Sequence, residues 1–119
     1  MVDLRPDGEE PGQPSAQDMR LAATKAGLAF AYVPVPHGDI PEASVAALQA
    51  FLASQSGPVL LYCRSGRRAA RTWALVEAAR PGGMPTDAIM AAVQGAGQNA
   101  EDLRGRIEAA VAARARVPS

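Results

Sequence analysis

Apolar and polar positions switch between two periods along this chain, and the switches mark its elements. Residues 2–4 are too short a run to establish a strand on their own pattern. A polar loop over 5–14 follows, with turn signals at Asp7-Gly8 and Pro11-Gly12. Ser15, with Asp18 three positions on, predicts the start of a helix that reaches about Ala26 and stops at Gly27. Residues 28–35 alternate, with Leu28, Phe30 and Tyr32 on one face and Ala29, Ala31 and Val33 on the other, which predicts a strand. Pro34 and Pro36 place its end outside a central ladder. A helix over about 41–53 carries Val45, Leu48, Phe51 and Leu52 as its apolar face. After a loop at 54–57, Val59, Leu60, Leu61 and Tyr62 run without a polar break behind Gly57-Pro58, as a fully buried strand does.

From Arg68 the period turns helical again, through Ala69, Ala70, Trp73, Ala74 and Val76, until Pro81-Gly82-Gly83 ends it after about Arg80. A short helix over 86–93 opens at Thr86 and Asp87 and breaks at Gly95-Ala96-Gly97. A last helix is capped by Asn99 with Asp102 and carries Leu103, Ile107 and Val111 on one face. Trp73 and the methionines read as core packing. The order strand, helix, strand, helix, strand, helix, helix, helix predicts an α/β fold: a small, mainly parallel sheet flanked by helices.

Composition narrows the picture. A chain of 119 residues is expected to form one domain over 1–119. Its hydrophobic fraction is 48% but aromatics are only 4%, so Leu, Val, Ile and Ala must build the core. The formal net charge of zero gives no case for nucleic acid or an anionic membrane surface as partner. One cysteine allows no internal disulfide and points to a reducing compartment. No apolar run is long enough to span a bilayer, and the N-terminus lacks the basic-then-apolar form of a signal peptide, so a cytoplasmic location is expected. No Cys-x-x-Cys or His/Cys cluster suggests a metal, and no Walker loop suggests a nucleotide, so no cofactor is expected.

Candidate chemistry concentrates at residues 58–70. Cys63 stands where the apolar run stops. Arg64, Ser65, Gly66 and Arg67 make a polar turn, and the helix opens at Arg68. The carboxyl end of a strand, in a loop leading into a helix, is where open α/β sheets bind ligands. Backbone N–H groups of such a turn and the helix N-terminus form an anion nest. The same positive potential, with Arg64, Arg67 and Arg68, favours the thiolate of a cysteine placed there. Gly66 allows backbone geometry that a side chain would block, and Arg68 offers a planar fork to an oxyanion. A nucleophile facing an anion site suits attack on phosphorus or on sulfur. A lone cysteine is otherwise a small buried hydrophobe, and arginines at a helix start are otherwise solvated.

The segment C-R-S-G-R-R-A behind V-L-L-Y resembles the active loop of the beta-lactamase-hydrolase-like phosphatase domain family, whose members are also labelled sulfurtransferases. The segment V-D-L-R-P-D-G-E-E-P-G-Q-P-S at 2–15 is similar to that family's other hallmark, and T-W-A-L at 72–75 matches as well. The resemblance implies a cysteine-phosphatase-like fold, with Cys63 as nucleophile and Arg68 as anion binder. It also implies that residues 2–4 end a longer strand with a further strand and helix ahead of it, so the chain is read either as a short member or as one whose start is set too late. Two departures stand out. Cys63 and Arg68 are separated by four residues rather than the five of familiar phosphatase loops, a spacing similar to rhodanese-type sulfurtransferases. Arg67 and Ala69 replace the family's usual Thr and Ser, so no hydroxyl follows Arg68 to help the thiolate leave.

Outside that loop, Asp39 has the residue type and chain order of the general acid of such phosphatases, with an N-cap of the following helix as its structural alternative. His37, the only histidine, is a candidate general acid or base, with simple exposure as the commoner reading of a lone loop histidine. Glu9 and Glu10 are read as solvated, and Arg5 as a surface residue with an approach to the anion site as its alternative. Three functions remain open. One is a cysteine-dependent phosphatase-like hydrolase acting through a thiophosphate on a small anionic substrate or phosphoprotein. A second is a rhodanese-like sulfurtransferase carrying a persulfide on Cys63. The third is a non-enzymatic anion-binding module.

Overall fold

The computed structural model describes residues 1–115, which fall into two compact units, Met1–Ala69 and Ala70–Ser119. The first holds β1 (Val2–Asp3), α1 (Ala16–Lys25), β2 (Ala31–Tyr32), α2 (Glu42–Ala53) and β3 (Leu61–Tyr62). α3 (Arg67–Ala79) begins in the first unit and continues into the second. There follow α4 (Thr86–Gly95), a 3-10 turn (Glu101–Leu103) and α5 (Arg104–Ala115). The sheet is wholly parallel, in the order β2-β1-β3, with Val2 opposite both Ala31 and Leu61 and Asp3 opposite both Tyr32 and Tyr62. The small α/β architecture expected from the alternation of strand and helix patterns is thus what forms.

The strands are shorter than their patterns. Of residues 28–35 only Ala31 and Tyr32 join the ladder; beyond them Val33 and Val35 still donate to Asp3 and Leu4 carbonyls at 2.8 and 2.9 Å. Of the run at 59–62 only Leu61 and Tyr62 are strand, and Leu60 is 63% exposed rather than buried. The sheet order explains this: β1 is central and fully buried, whereas β2 and β3 each pair on one side only. Val2, Leu4, Val33, Val35, Ile40, Val45 and Leu48 form the first unit's core, each worth roughly 1.5–3 kcal/mol of burial.

Helix starts mix agreement and correction. Ser15 caps α1 as predicted, accepting the Asp18 N–H at 3.0 Å. Asp39 does not cap α2: the N-cap is Pro41, which has no side-chain cap bond. Asn99 accepts the Glu101 N–H at 2.7 Å and shapes the 3-10 turn, while Asp102 pairs with Arg71. Trp73 is only partly buried and Met84 is 40% exposed, so neither belongs to the buried core.

In the second unit, Ala74, Leu75, Ala78, Ile89, Val93 and Ile107 are buried. Two arginines tie its ends together. Arg71 forks onto Asp102 at 2.6 and 2.8 Å. Arg114 of α5 donates to the Glu77 and Ala78 carbonyls at the end of α3, at 2.9 and 3.2 Å, and to Gly83 O at 2.8 Å, satisfying carbonyls a helix C-terminus leaves free. Glu77 closes the turn, bonded to Arg80 and to the Met84 N–H. The Arg80 guanidinium holds the Glu77 carboxyl below the usual range.

This turn generates a prediction. A Cβ on Gly83 would run into the Glu77 carbonyl and lie 2.6 Å from Arg114 Nη1, whereas one on Gly95 would meet nothing within 4 Å. Gly83→Ala is expected to destabilise the fold by about 1–3 kcal/mol in urea unfolding. Gly95→Ala, in α4, is expected to be neutral or stabilising. Equal midpoints for the two variants would contradict this account of the turn.

Candidate active site

β1 fixes where its following loop starts. Asp3, 2% exposed, accepts the Arg5 N–H at 2.8 Å and so turns the chain out of the sheet. Burial pushes the Asp3 carboxyl up; burial and the neighbouring Asp3 charge push the Tyr62 phenol up. The loop over 5–14 is then stapled at several points. Asp7 N–H donates to Tyr32 Oη at 2.9 Å, Asp7 Oδ1 accepts the Ala16 N–H at 2.7 Å, and Gln13 Nε2 donates to the Pro6 carbonyl at 3.0 Å.

That loop delivers two carboxylates to the turn after β3. Glu9 accepts a bidentate pair from Arg68, Nη1 at 2.6 Å and Nη2 at 2.9 Å; Arg68 Nη1 also donates to the Val35 carbonyl at 2.9 Å. The two side chains are 14% and 8% exposed, so this is a largely buried pair. Arg68 holds the Glu9 carboxyl below the usual carboxylate range, and Glu9 in turn holds the guanidinium protonated. Glu9 also contacts Arg5 Nε at 3.2 Å and His37 Nε2 at 3.5 Å, while Glu10 pairs with Arg5 and with Arg64. The reading of Glu9 and Glu10 as solvated, and of Arg5 as a surface residue, is corrected: all three belong to one ion-pair cluster.

The turn after β3 has the form its sequence predicts. Gly66 adopts φ +87°, a left-handed value that residues with a Cβ adopt at a cost of about 1–2 kcal/mol. Its N–H points at the cysteine, donating to Cys63 Sγ at 3.1 Å. Cys63 is partly exposed and close enough to Arg68 to strengthen that arginine's hold on its proton. A cleft of about 430 Å3 opens beside them, lined by His37, Arg64, Ser65, Arg67 and Arg68. It exceeds a hollow of about 280 Å3 in the second unit, lined in part by Asp87, Met90, Gln94 and Arg104, which contains no nucleophile.

The fold therefore brings together Cys63, Arg64, Ser65, Gly66, Arg67 and Arg68. Asp39 is exposed and is not in the cleft lining; His37, from the same loop, is. Arg64 and Arg68 are neutralised by Glu10 and Glu9, whereas Arg67 has no carboxylate partner among the described residues. Ala69, where a hydroxyl would stand, is buried at 6% exposure. Among the described residues, no group of three or more His, Cys, Asp or Glu could hold a metal ion, and no helix is long and apolar enough to cross a membrane.

Known proteins resemble this chain in sequence and in fold. Residues 1–80 match the family model of the phosphatase-like domain of beta-lactamase hydrolase-like protein. Beta-lactamase hydrolase-like proteins of Xylella fastidiosa (strain Temecula1) and Agrobacterium fabrum (strain C58) are 47% identical over 77 residues and 41% identical over 78 residues. Those alignments take 65% and 66% of this chain but only 18% of each relative, so the chain spans under a fifth of their length. The crystal structure of a candidate phosphatase from Neisseria meningitidis Z2491 superposes with a TM-score of 0.74 at 35% identity, covering 92% of this chain and 76% of that one. A DUF442 candidate phosphatase from Shewanella putrefaciens CN-32 shares the fold, with a TM-score of 0.65 at 20% identity, covering 95% of this chain and 72% of that one. The chain belongs to the family of the beta-lactamase hydrolase-like protein's phosphatase-like domain.

Proposed function

We propose that this domain is a cysteine-dependent phosphatase-like hydrolase acting on an anionic phosphate ester, either a small molecule or a phosphoprotein. The observation that carries the reading is the Gly66 N–H bonded to Cys63 Sγ at the start of α3, with the Arg68 guanidinium beside it. The Cys63 thiolate attacks phosphorus, and the bond from phosphorus to the leaving oxygen breaks as that oxygen takes a proton. Water then attacks phosphorus, the S–P bond breaks, and phosphate and thiolate are released. Backbone N–H groups of the turn and Arg68 hold the equatorial oxygens, where charge is greatest in the transition state. The proton comes from the loop over 36–41. Asp39 fits by residue type, and His37 fits by its place in the cleft. Arg67, a cleft cation without a carboxylate partner among the described residues, draws the anion in.

A second reading rests on Ala69 and the four-residue spacing. With no hydroxyl after Arg68 to assist the departing thiolate, the same loop suits a sulfurtransferase. There Cys63 takes the sulfane sulfur of a donor such as thiosulfate, releasing sulfite, and carries it as a persulfide.

Hydrolysis of an aryl phosphate by folded Cys63→Ser is expected to fall at least about 1,000-fold, and by Arg68→Lys, which keeps charge but loses the fork, about 100-fold. Undiminished turnover in Cys63→Ser removes the phosphatase reading. If the wild type shows no turnover while its intact mass gains sulfur from thiosulfate, the second reading takes its place. For the acid, His37→Asn and Asp39→Asn are compared on esters with good and poor leaving groups. The true donor loses about 100-fold on the poor one and little on the good one, and equal profiles for both variants would place the acid elsewhere. Arg67→Ala is expected to raise KM at low ionic strength, with the difference shrinking as salt is added; a salt-independent effect would deny Arg67 an electrostatic role.

A further inference from the structure

Arg68 carries five N–H donors in one plane. Three are committed: one Nη1–H and one Nη2–H to the two oxygens of Glu9, and the other Nη1–H to the Val35 carbonyl. Glu9 and Val35 leave Nε–H and the outer Nη2–H, and the guanidinium also makes a weaker side-chain hydrogen bond to Cys63, the nucleophile that substrate would meet. Those two donors lie side by side on one edge of the guanidinium and form a second fork, matched to two oxygens of a tetrahedral or trigonal oxyanion. Cys63 lies close enough to Arg68 to interact with it directly.

The geometry points to Glu9 as the positioning residue for the anion-binding arginine, an inference that rests on the hydrolase reading above. Glu9 occupies the end of the guanidinium, fixes the plane, and leaves the side edge as the one bidentate face for substrate. It also joins the three segments that meet at the site. Arg5 holds it from the loop after β1, His37 approaches it from the loop after β2, and Arg68 from the start of α3. A long side chain whose Nη1 and Nη2 are both held by fixed acceptors retains little rotational freedom, so its donors are already placed when charge develops on the oxyanion. The opposite role, a carboxylate that occupies the arginine and competes with substrate, would need Glu9 on the face the substrate uses. The donor count places it on the other face.

The test is a double-mutant cycle between Glu9→Gln and Arg68→Lys, read out by aryl phosphate turnover and by calorimetric binding of tungstate to the Cys63→Ser protein. Thermal unfolding verifies that each variant is folded, and Glu9→Asp serves as a second variant if Glu9→Gln is not. Glu9→Gln is expected to lower kcat about 10–100-fold with a smaller change in KM, and to weaken tungstate binding. In the Arg68→Lys background the same substitution is expected to change either quantity by less than about twofold, because Glu9 acts through Arg68. Tighter tungstate binding or faster turnover in Glu9→Gln overturns the positioning role in favour of competition. Additive effects overturn it in favour of a general structural role. If tungstate binds the wild-type loop with no dependence on Arg68, the hydrolase reading falls and this inference with it. Arg68-dependent binding unchanged by Glu9→Gln removes the inference alone.

Discussion

The site depends on one buried ion pair. Arg68 is 8% exposed at its side chain, and a guanidinium withdrawn that far from water is tolerated only when paired and hydrogen-bonded. Glu9 and the Val35 carbonyl meet that requirement, and in doing so fix where three loops lie. Removing one partner of such a pair typically costs about 3–5 kcal/mol, because the other is left charged and unsatisfied. The loop over 5–14, polar and twice interrupted by glycine, would otherwise have little reason to hold one conformation. Its bonds to Tyr32 and Ala16, and its carboxylates on Arg5, Arg64 and Arg68, give it one.

The sheet serves the same end. With β1 central and parallel to both neighbours, the carboxyl ends of all three strands lie on one side. The loops that leave them carry Glu9, His37 and Cys63 respectively. This is the general placement of ligand sites in open α/β sheets, at the ends of parallel strands where loops converge. The family match covers residues 1–80, which carry all three of these loops. The second unit has its own logic, in which Arg71 and Arg114 tie helix ends and turns together through hydrogen bonds.

Local signals were legible in the chain. Ser15 with Asp18, the break at Gly27, the turn at Gly66 and the helix beyond Arg68 all follow from interactions within a few residues, and the structure has them. So does the cysteine at the end of β3, because strand, turn and helix are adjacent in sequence. What the chain alone concealed are pairings across long separations. Glu9 and Arg68 stand 59 positions apart, and no local pattern distinguishes Glu9 from a solvated acid. Arg71 and Asp102 are 31 apart, and Asp102 looked like a cap for the same reason. The strands within 28–35 and 59–62 are shorter than their apolar patterns, because such patterns report burial more than ladder pairing, and both segments lie at sheet edges. The position of Asp39 is the clearest lesson for the site: residue type and chain order named it, but the cleft is lined by His37 from the same loop.

The most direct measurement is rapid acid quench of the wild-type protein during reaction with an aryl phosphate, followed by intact and peptide mass spectrometry. The account predicts a phosphoryl group on the peptide that contains Cys63, formed before steady-state product release and absent from Cys63→Ser. Turnover with an unmodified Cys63, or a phosphoryl group on another residue, would contradict it.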